Sequence, residues 1–219
     1  MDTINPSYVA TIGDIIDSKN IEHRQEIQTK LLNTLDRINS KYRQLIVSNF
    51  KITLGDEFEG LMSINGDWIC IINELYFSMY PTKIRFGVGV GNITTQIQTM
   101  NIQEMDGPAF HLVRKAIEQL TKEKQKYRGN INYFKIYIHD QLKTEIMNNT
   151  LSLLSILYSS YTSRQVEILH AYMNHEMNQF KTVAFLKLGQ LAISKTLKKT
   201  EFYEVKDSWD LLDRLVTES

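Results

Sequence analysis

The sequence predicts an α+β fold: an antiparallel sheet with element order β-α-β-β-α-β-α-β, followed by a small all-helical segment. Three observations predict it. Short β-rich apolar runs occur at residues 8–16, 48–54, 58–64, 83–91 and 132–139. Apolar residues at helical spacing fill the stretches between several of them. After His139 the strand patterns stop and only helical ones follow.

Taken in order, residues 8–16 alternate and read as a buried strand. Residues 21–46 place Ile27, Leu31, Leu35, Ile38, Tyr42 and Leu45 on one helical face, with Ser18 and Asn20 as candidate caps. Residues 48–54 and 58–64 read as two strands joined by a tight turn at Gly55-Asp56. Residues 67–79 are apolar at helical spacing and stop before Pro81. Residues 83–91 (KIRFGVGVG) form a strand with Gly87, Gly89 and Gly91 on one face. That face leaves room for a close-packed helix or for a ligand. Residues 92–105 are a polar connection, and residues 108–126 a helix opening on Pro108. Residues 132–139 supply the last strand. The expected arrangement is a ferredoxin-like sheet with its helices on one face.

A division is expected between residues 1–145, the α+β domain, and residues 146–219, a helical C-terminal domain. In the second, Thr162-Ser163-Arg164-Gln165 opens a helix and residues 179–186 form a short one. Gly189 then turns the chain into a third helix near Leu191, which is a helix-turn-helix pattern. No acid interrupts residues 179–200, and Lys195, Lys198 and Lys199 form a short basic stripe suited to phosphate contacts. The bland alternative is a solvated helix in a protein-interaction module, because Glu201, Glu204, Asp207, Asp210 and Asp213 follow at once.

Composition is ordinary for a globular protein, with 42% apolar and 23% charged residues. Lys+Arg and Asp+Glu are equal at 25 each, so no global field draws the chain to nucleic acid or membrane. Cys70 is the lone cysteine, which excludes an internal disulfide. No leader pattern and no apolar run of about 18 residues is present, so a cytoplasmic, soluble protein is expected. The five histidines show no metal-ligand spacing.

The chemistry-bearing residues are Asp14, in IGDIIDSK, and Asp56, in ITLGDEFEGL. Each carboxylate stands beside a Gly on strands the topology would pair. Two such carboxylates can hold a hard divalent cation, Mg²⁺ or Mn²⁺, and that cation can hold a phosphate. The alternative is two turn-favouring acids that merely end strands. Arg114 could reach a phosphate held there, while Arg85 and Lys115 otherwise read as solvated strand and helix residues.

The stretches IGDIIDSK, ITLGDEFEGL, IRFGVGVGNI and DGPAFHLVRKAI resemble the SatD family of bacterial proteins. The first domain is also distantly similar to class III nucleotidyl cyclases and GGDEF diguanylate cyclases, which have a palm-like fold. That resemblance implies metal ligands at Asp14, the following Ile15 and Asp56. It implies ligand or phosphate contacts from Arg85, Arg114, Lys115 and Glu57, and pairing into a homodimer. The departures are specific. Ile52 stands where a cyclase has its purine-reading Lys, and Leu54 where a diguanylate cyclase has a second Gly. His111 and Lys115 replace the helix Asn and Arg, with Arg114 one position off.

The reading that follows is a cytoplasmic regulator. It binds a nucleotide or phosphorylated ligand through a divalent metal and contacts DNA or a partner through its tail. The alternatives are a nucleotidyl- or phosphoryl-transferring enzyme using Asp14 and Asp56, and a non-catalytic interaction scaffold.

Overall fold

The computed structural model describes residues 7–18, 22–99, 101–123 and 132–218. The sheet half of the chain runs β1 (Tyr8–Ile15), α1 (Arg24–Lys41), β2 (Ile46–Leu54), β3 (Glu57–Ser63), α2 (Trp68–Met79), β4 (Ile84–Gly91), α3 (Pro108–Glu123) and β5 (Phe134–Tyr137). This is the expected α+β order. The five strands lie side by side as β2-β3-β1-β4-β5. β1 is antiparallel to both neighbours, β3 and β4. β5, however, runs parallel to β4, because α3 crosses over between them.

Helices cover both faces of the sheet rather than one. Val9, Phe58 and Phe86 share a core with Leu31 and Leu35 of α1 and Leu75 of α2. Ala10, Ile12 and Leu61 share a second core with Ala109 and Val113 of α3. Six of the eight β1 residues are buried, so neither face of that strand could be left to water.

The hairpin turn sits at Gly55-Asp56, with Gly55 at a left-handed φ of 61° and Leu54 paired to Glu57. On β4 the glycine face belongs to α3. A Cβ at Gly89 would stand 2.3 Å from the Ala109 carbonyl oxygen. Gly87 and Gly89 therefore serve helix packing and leave no room for a ligand between β4 and α3. The connection after β4 carries one 3₁₀ turn, Ile102–Glu104, which drops Ile102 and Met105 into the second core. α1 opens at Arg24 after His23, which makes no side-chain capping bond. Of the two candidate caps, Ser18 lies five residues before the N-cap position and Asn20 lies outside the described residues, as does the expected end of the third helix at residues 124–126.

The tail is α4 (Gln141–Ser159), α5 (Ser163–Asn174), α6 (Gln179–Leu186), α7 (Gln190–Lys199) and α8 (Phe202–Thr217). The expected division at residues 145/146 falls inside α4. Thr162 and Gln165 close a reciprocal capping box at the start of α5. α6 has the bounds read from the sequence. The left-handed residue of the turn that follows is Lys187, at φ 53°, whereas Gly189 takes an ordinary φ of −70° as the N-cap of α7. Ile193 and Leu197 are buried, and Val183 and Leu188 pack partly against them.

The tail shares the larger core with the sheet half. Tyr158 and Tyr161 stack among Tyr76 and Phe77 of α2. The Trp209 indole N–H donates to the Tyr158 hydroxyl at 2.9 Å. Glu74 of α2 is fully buried and bonded by Arg37, Lys41 and Tyr42, and Arg37 also reaches Asn174 of α5. Among the described residues no helix is long and apolar enough to cross a membrane.

Candidate functional site

The end of β1 carries the predicted acids. Asp14 lies opposite Glu57 on one side and Arg85 on the other. Strand alternation turns Asp14 to the α3 face, with Ala10 and Ile12. Its Oδ2 accepts a hydrogen bond from Arg85 Nε at 2.7 Å. Ile15 is buried and paired with Ile84, so it can offer a cation only its main-chain carbonyl. Asp56, in the turn just before Glu57, accepts from Arg24 Nη2 at 3.0 Å. Arg24 opens α1, the helix on the opposite face. Asp56 thus lies one residue beyond the last β1–β3 pair, and each acid is held by its own guanidinium, Asp14 by Arg85 of β4 and Asp56 by Arg24 of α1.

A third acid–arginine set stands beside them. Arg114 of α3 donates to Glu57 at 3.3 Å and makes a short contact with Glu59. Glu59 is buried. Burial raises its carboxyl above the ordinary value, Arg114 pulls it back down, and Glu57 adds to the rise. Glu57, Glu59, Arg114, Phe110, Met105 and Thr53 line a cleft of about 420 Å³.

Of the other predicted residues, Arg85 and Arg114 join the acids. Lys115 does not. Its ammonium lies 4.2 Å from the centre of the Tyr137 ring, over β5. His111 turns to Asp106 at 3.2 Å. On α7, Lys195, Lys198 and Lys199 are all exposed. Arg24 was not legible in the sequence as a site residue, because its partner is 32 positions away and nothing local marks it. Glu59 was legible only by its period-two spacing from Glu57.

Oxygen donors of this kind suit Mg²⁺ or Mn²⁺. Among the described residues no group of three or more His, Cys, Asp or Glu stands ready to hold a metal ion. A cation at Asp14 and Asp56 would therefore complete its shell with water and ligand oxygens. That is how Mg²⁺ commonly binds, through one or two carboxylates plus phosphates. Such a cation would have to displace Arg85 from Asp14 and Arg24 from Asp56.

The SatD family model matches residues 8–204. The chain belongs to the SatD family. No curated protein matches its sequence. Among solved structures it is similar to the adenylyl cyclase CyaB from P. aeruginosa, at 13% identity and a TM-score of 0.37, covering 52% of this chain and 71% of that one. It is also similar to a bacterial light-regulated adenylyl cyclase, at 11% identity and a TM-score of 0.39, covering 60% and 75%. A third likeness is to the guanylyl cyclase domain of the RhoGC fusion protein from the aquatic fungus Blastocladiella emersonii, at 13% identity and a TM-score of 0.33, covering 51% and 85%. Likeness at this level assigns no activity to the SatD chain.

Proposed function

We propose that this SatD protein is a cytoplasmic regulator that binds a nucleotide or similar phosphorylated ligand together with Mg²⁺ or Mn²⁺. The observation that carries the reading is the pairing of acids with guanidiniums at one end of the sheet: Asp14 with Arg85, Asp56 with Arg24, and Glu57 with Arg114. A metal–phosphate ligand carries both signs of charge and can exchange with such pairs. Phosphate oxygens take the arginines, whose forked donors suit them. The cation takes the freed carboxylates. Neither half alone can do this without stranding the opposite partner.

A nucleoside triphosphate with Mg²⁺, at about one hundred times its Kd, should therefore raise the thermal midpoint by about 5–10 °C. Triphosphate alone or Mg²⁺ alone should move it far less. Asp56→Asn should abolish the shift and leave the fold intact. A panel of common nucleotides and divalent ions that produces no shift sinks the reading and leaves the scaffold alternative. The transferase alternative is supported by Arg85 and Arg114, which could carry charge developing on phosphoryl oxygens. Product formation in the same mixtures separates it from binding alone.

The tail is the output half of the proposal. Lys195 shares a helix face with Lys198 and Lys199, and all three are exposed. That stripe suits a DNA backbone. The exposed Phe180, Phe185 and Leu191 nearby suit a partner protein. If DNA is the partner, its binding should weaken steeply with salt. Changing all three lysines to Ala should then flatten the salt slope by about two to three units, at about 0.9 per phosphate contact. Binding that ignores salt, or is absent, removes DNA from the proposal.

A further inference from the structure

α4 buries one face completely and leaves the other bare. Thr144, Met147, Leu151, Leu154 and Tyr158 point inward. On the outer face Leu142 is 67% exposed, Ile146 48%, Leu153 68% and Ile156 50%. With the exposed Asn149 these positions step four, three, four and three, the spacing of a coiled-coil seam. A solvated helix face ordinarily carries charge. Here no Asp, Glu, Lys or Arg occurs from residue 146 to residue 163.

We propose that α4 is a self-association surface on which two copies of the chain pair antiparallel, with Asn149 of each copy at the two-fold axis. Three features point to a second copy. The stripe is close to symmetric about Asn149, so a two-fold axis there sets Leu142 against the partner copy's Ile156 and Ile146 against its Leu153. A two-fold contact must be self-complementary in this way. The Asn149 amide is both donor and acceptor, so it can pair with its own copy, whereas a purely apolar partner would leave it unsatisfied. Of the charged residues of α4, Lys143 falls opposite position 155 and Glu145 opposite position 153 in this arrangement, so like charges do not oppose one another.

Area fixes the strength. A fully exposed aliphatic side chain offers on the order of 60–120 Å². Four that are half to two-thirds exposed give about 300–600 Å² over two copies, well below the roughly 1,200–2,000 Å² of a tight interface. The pair is therefore weak and concentration-dependent. The contact stands apart from the ligand site and does not depend on it.

Sedimentation of the full chain from about 5 µM to about 500 µM tests this. A monomer giving way to a dimer is expected. Leu153→Lys should weaken association at least tenfold without changing the melting curve, because the position is exposed. Asn149→Leu should strengthen it about tenfold, as removal of a polar seam residue does. Leu142→Cys and Ile156→Cys chains should cross-link when mixed and not separately, with the parent chain and its Cys70 as control. A chain that stays monomeric throughout overturns the proposal. So does a dimer indifferent to Leu153→Lys, or cross-linking of either Cys variant with itself.

Discussion

Replacing Arg37 and Lys41 together with Met should destabilise the protein by about 3–5 kcal/mol, and adding Glu74→Leu should recover most of the loss. Glu74 sits fully buried on α2. Arg37 and Lys41 reach it from α1, and the Tyr42 hydroxyl donates to it at 2.6 Å. Burial alone would raise the Glu74 carboxyl, but its bonds to Lys41, Tyr42 and Arg37 outweigh that, and the net shift is downward. The charge is therefore kept in the folded protein at neutral pH. Removing both cations strands it, which is the costly case for a buried ion. Removing the carboxylate is much milder, because Arg37 and Lys41 keep 39% and 34% of their side-chain surface in water. The sign reversal on adding the third substitution separates a stranded charge from ordinary loss of packing. Denaturant titration of the parent, the double variant and the triple variant measures it, and a triple variant less stable than the double would refute the account. The same lowered carboxyl supplies stability that is present above its unfolded pKa of about 4.3 and lost as pH falls through the folded value.

That network also marks where sequence reading stops. The hairpin was legible because Gly55-Asp56 lies between two β-rich runs, and turn chemistry is local. The bounds of α6, the Thr162–Gln165 cap and the glycine face of β4 were legible for the same reason. Helices on both sheet faces were legible in principle, since β1 is apolar at consecutive positions, but period-two alternation drew the reading to one face. The parallel placement of β5 depends on where α3 crosses, which no local pattern states. Asp14 and Asp56 could be found as acids beside glycines. Their arginine partners could not, since Arg85 is 71 positions from Asp14 and Arg24 is 32 from Asp56. Burial of Glu74 was hidden for the same reason, because its cations come from another helix. In α8 the acids caught attention and the apolar series Phe202, Val205, Trp209, Leu212 and Val216 did not. Its three-four spacing is what docks the tail.

The docking of α8 should be weaker at high pH, and Asp213→Asn should remove that dependence. Asp213 sits where α8 meets the start of α2. It faces Asp67 and the Ile69 main chain, and its Oδ1 is buried without a hydrogen-bond partner. Burial first, then the charge of Asp67, pushes its carboxyl up to about 8. An unfolded Asp releases its proton near 3.9. Below that value both states are protonated and the residue contributes nothing to the pH dependence. From about pH 4 to about pH 8 the folded state keeps a proton the unfolded state has lost, so stability falls as pH rises, by up to about 1.4 kcal/mol per unit. Above about pH 8 both states are ionised and the full penalty stands. Water reaching a partly exposed carboxyl trims this limit, and an effect of about 2–3 kcal/mol is expected between pH 5 and pH 9. An Asn at 213 nearly matches the protonated acid in size and polarity and carries no charge at any pH. The variant should gain on the parent steadily from pH 5 to pH 9, by about 2–3 kcal/mol over that range. Denaturant midpoints at four or five pH values decide it. A constant offset between the two proteins would mean that Asp213 does not hold a proton in the folded state, and the pH sensitivity of the α8 contact would have to lie elsewhere.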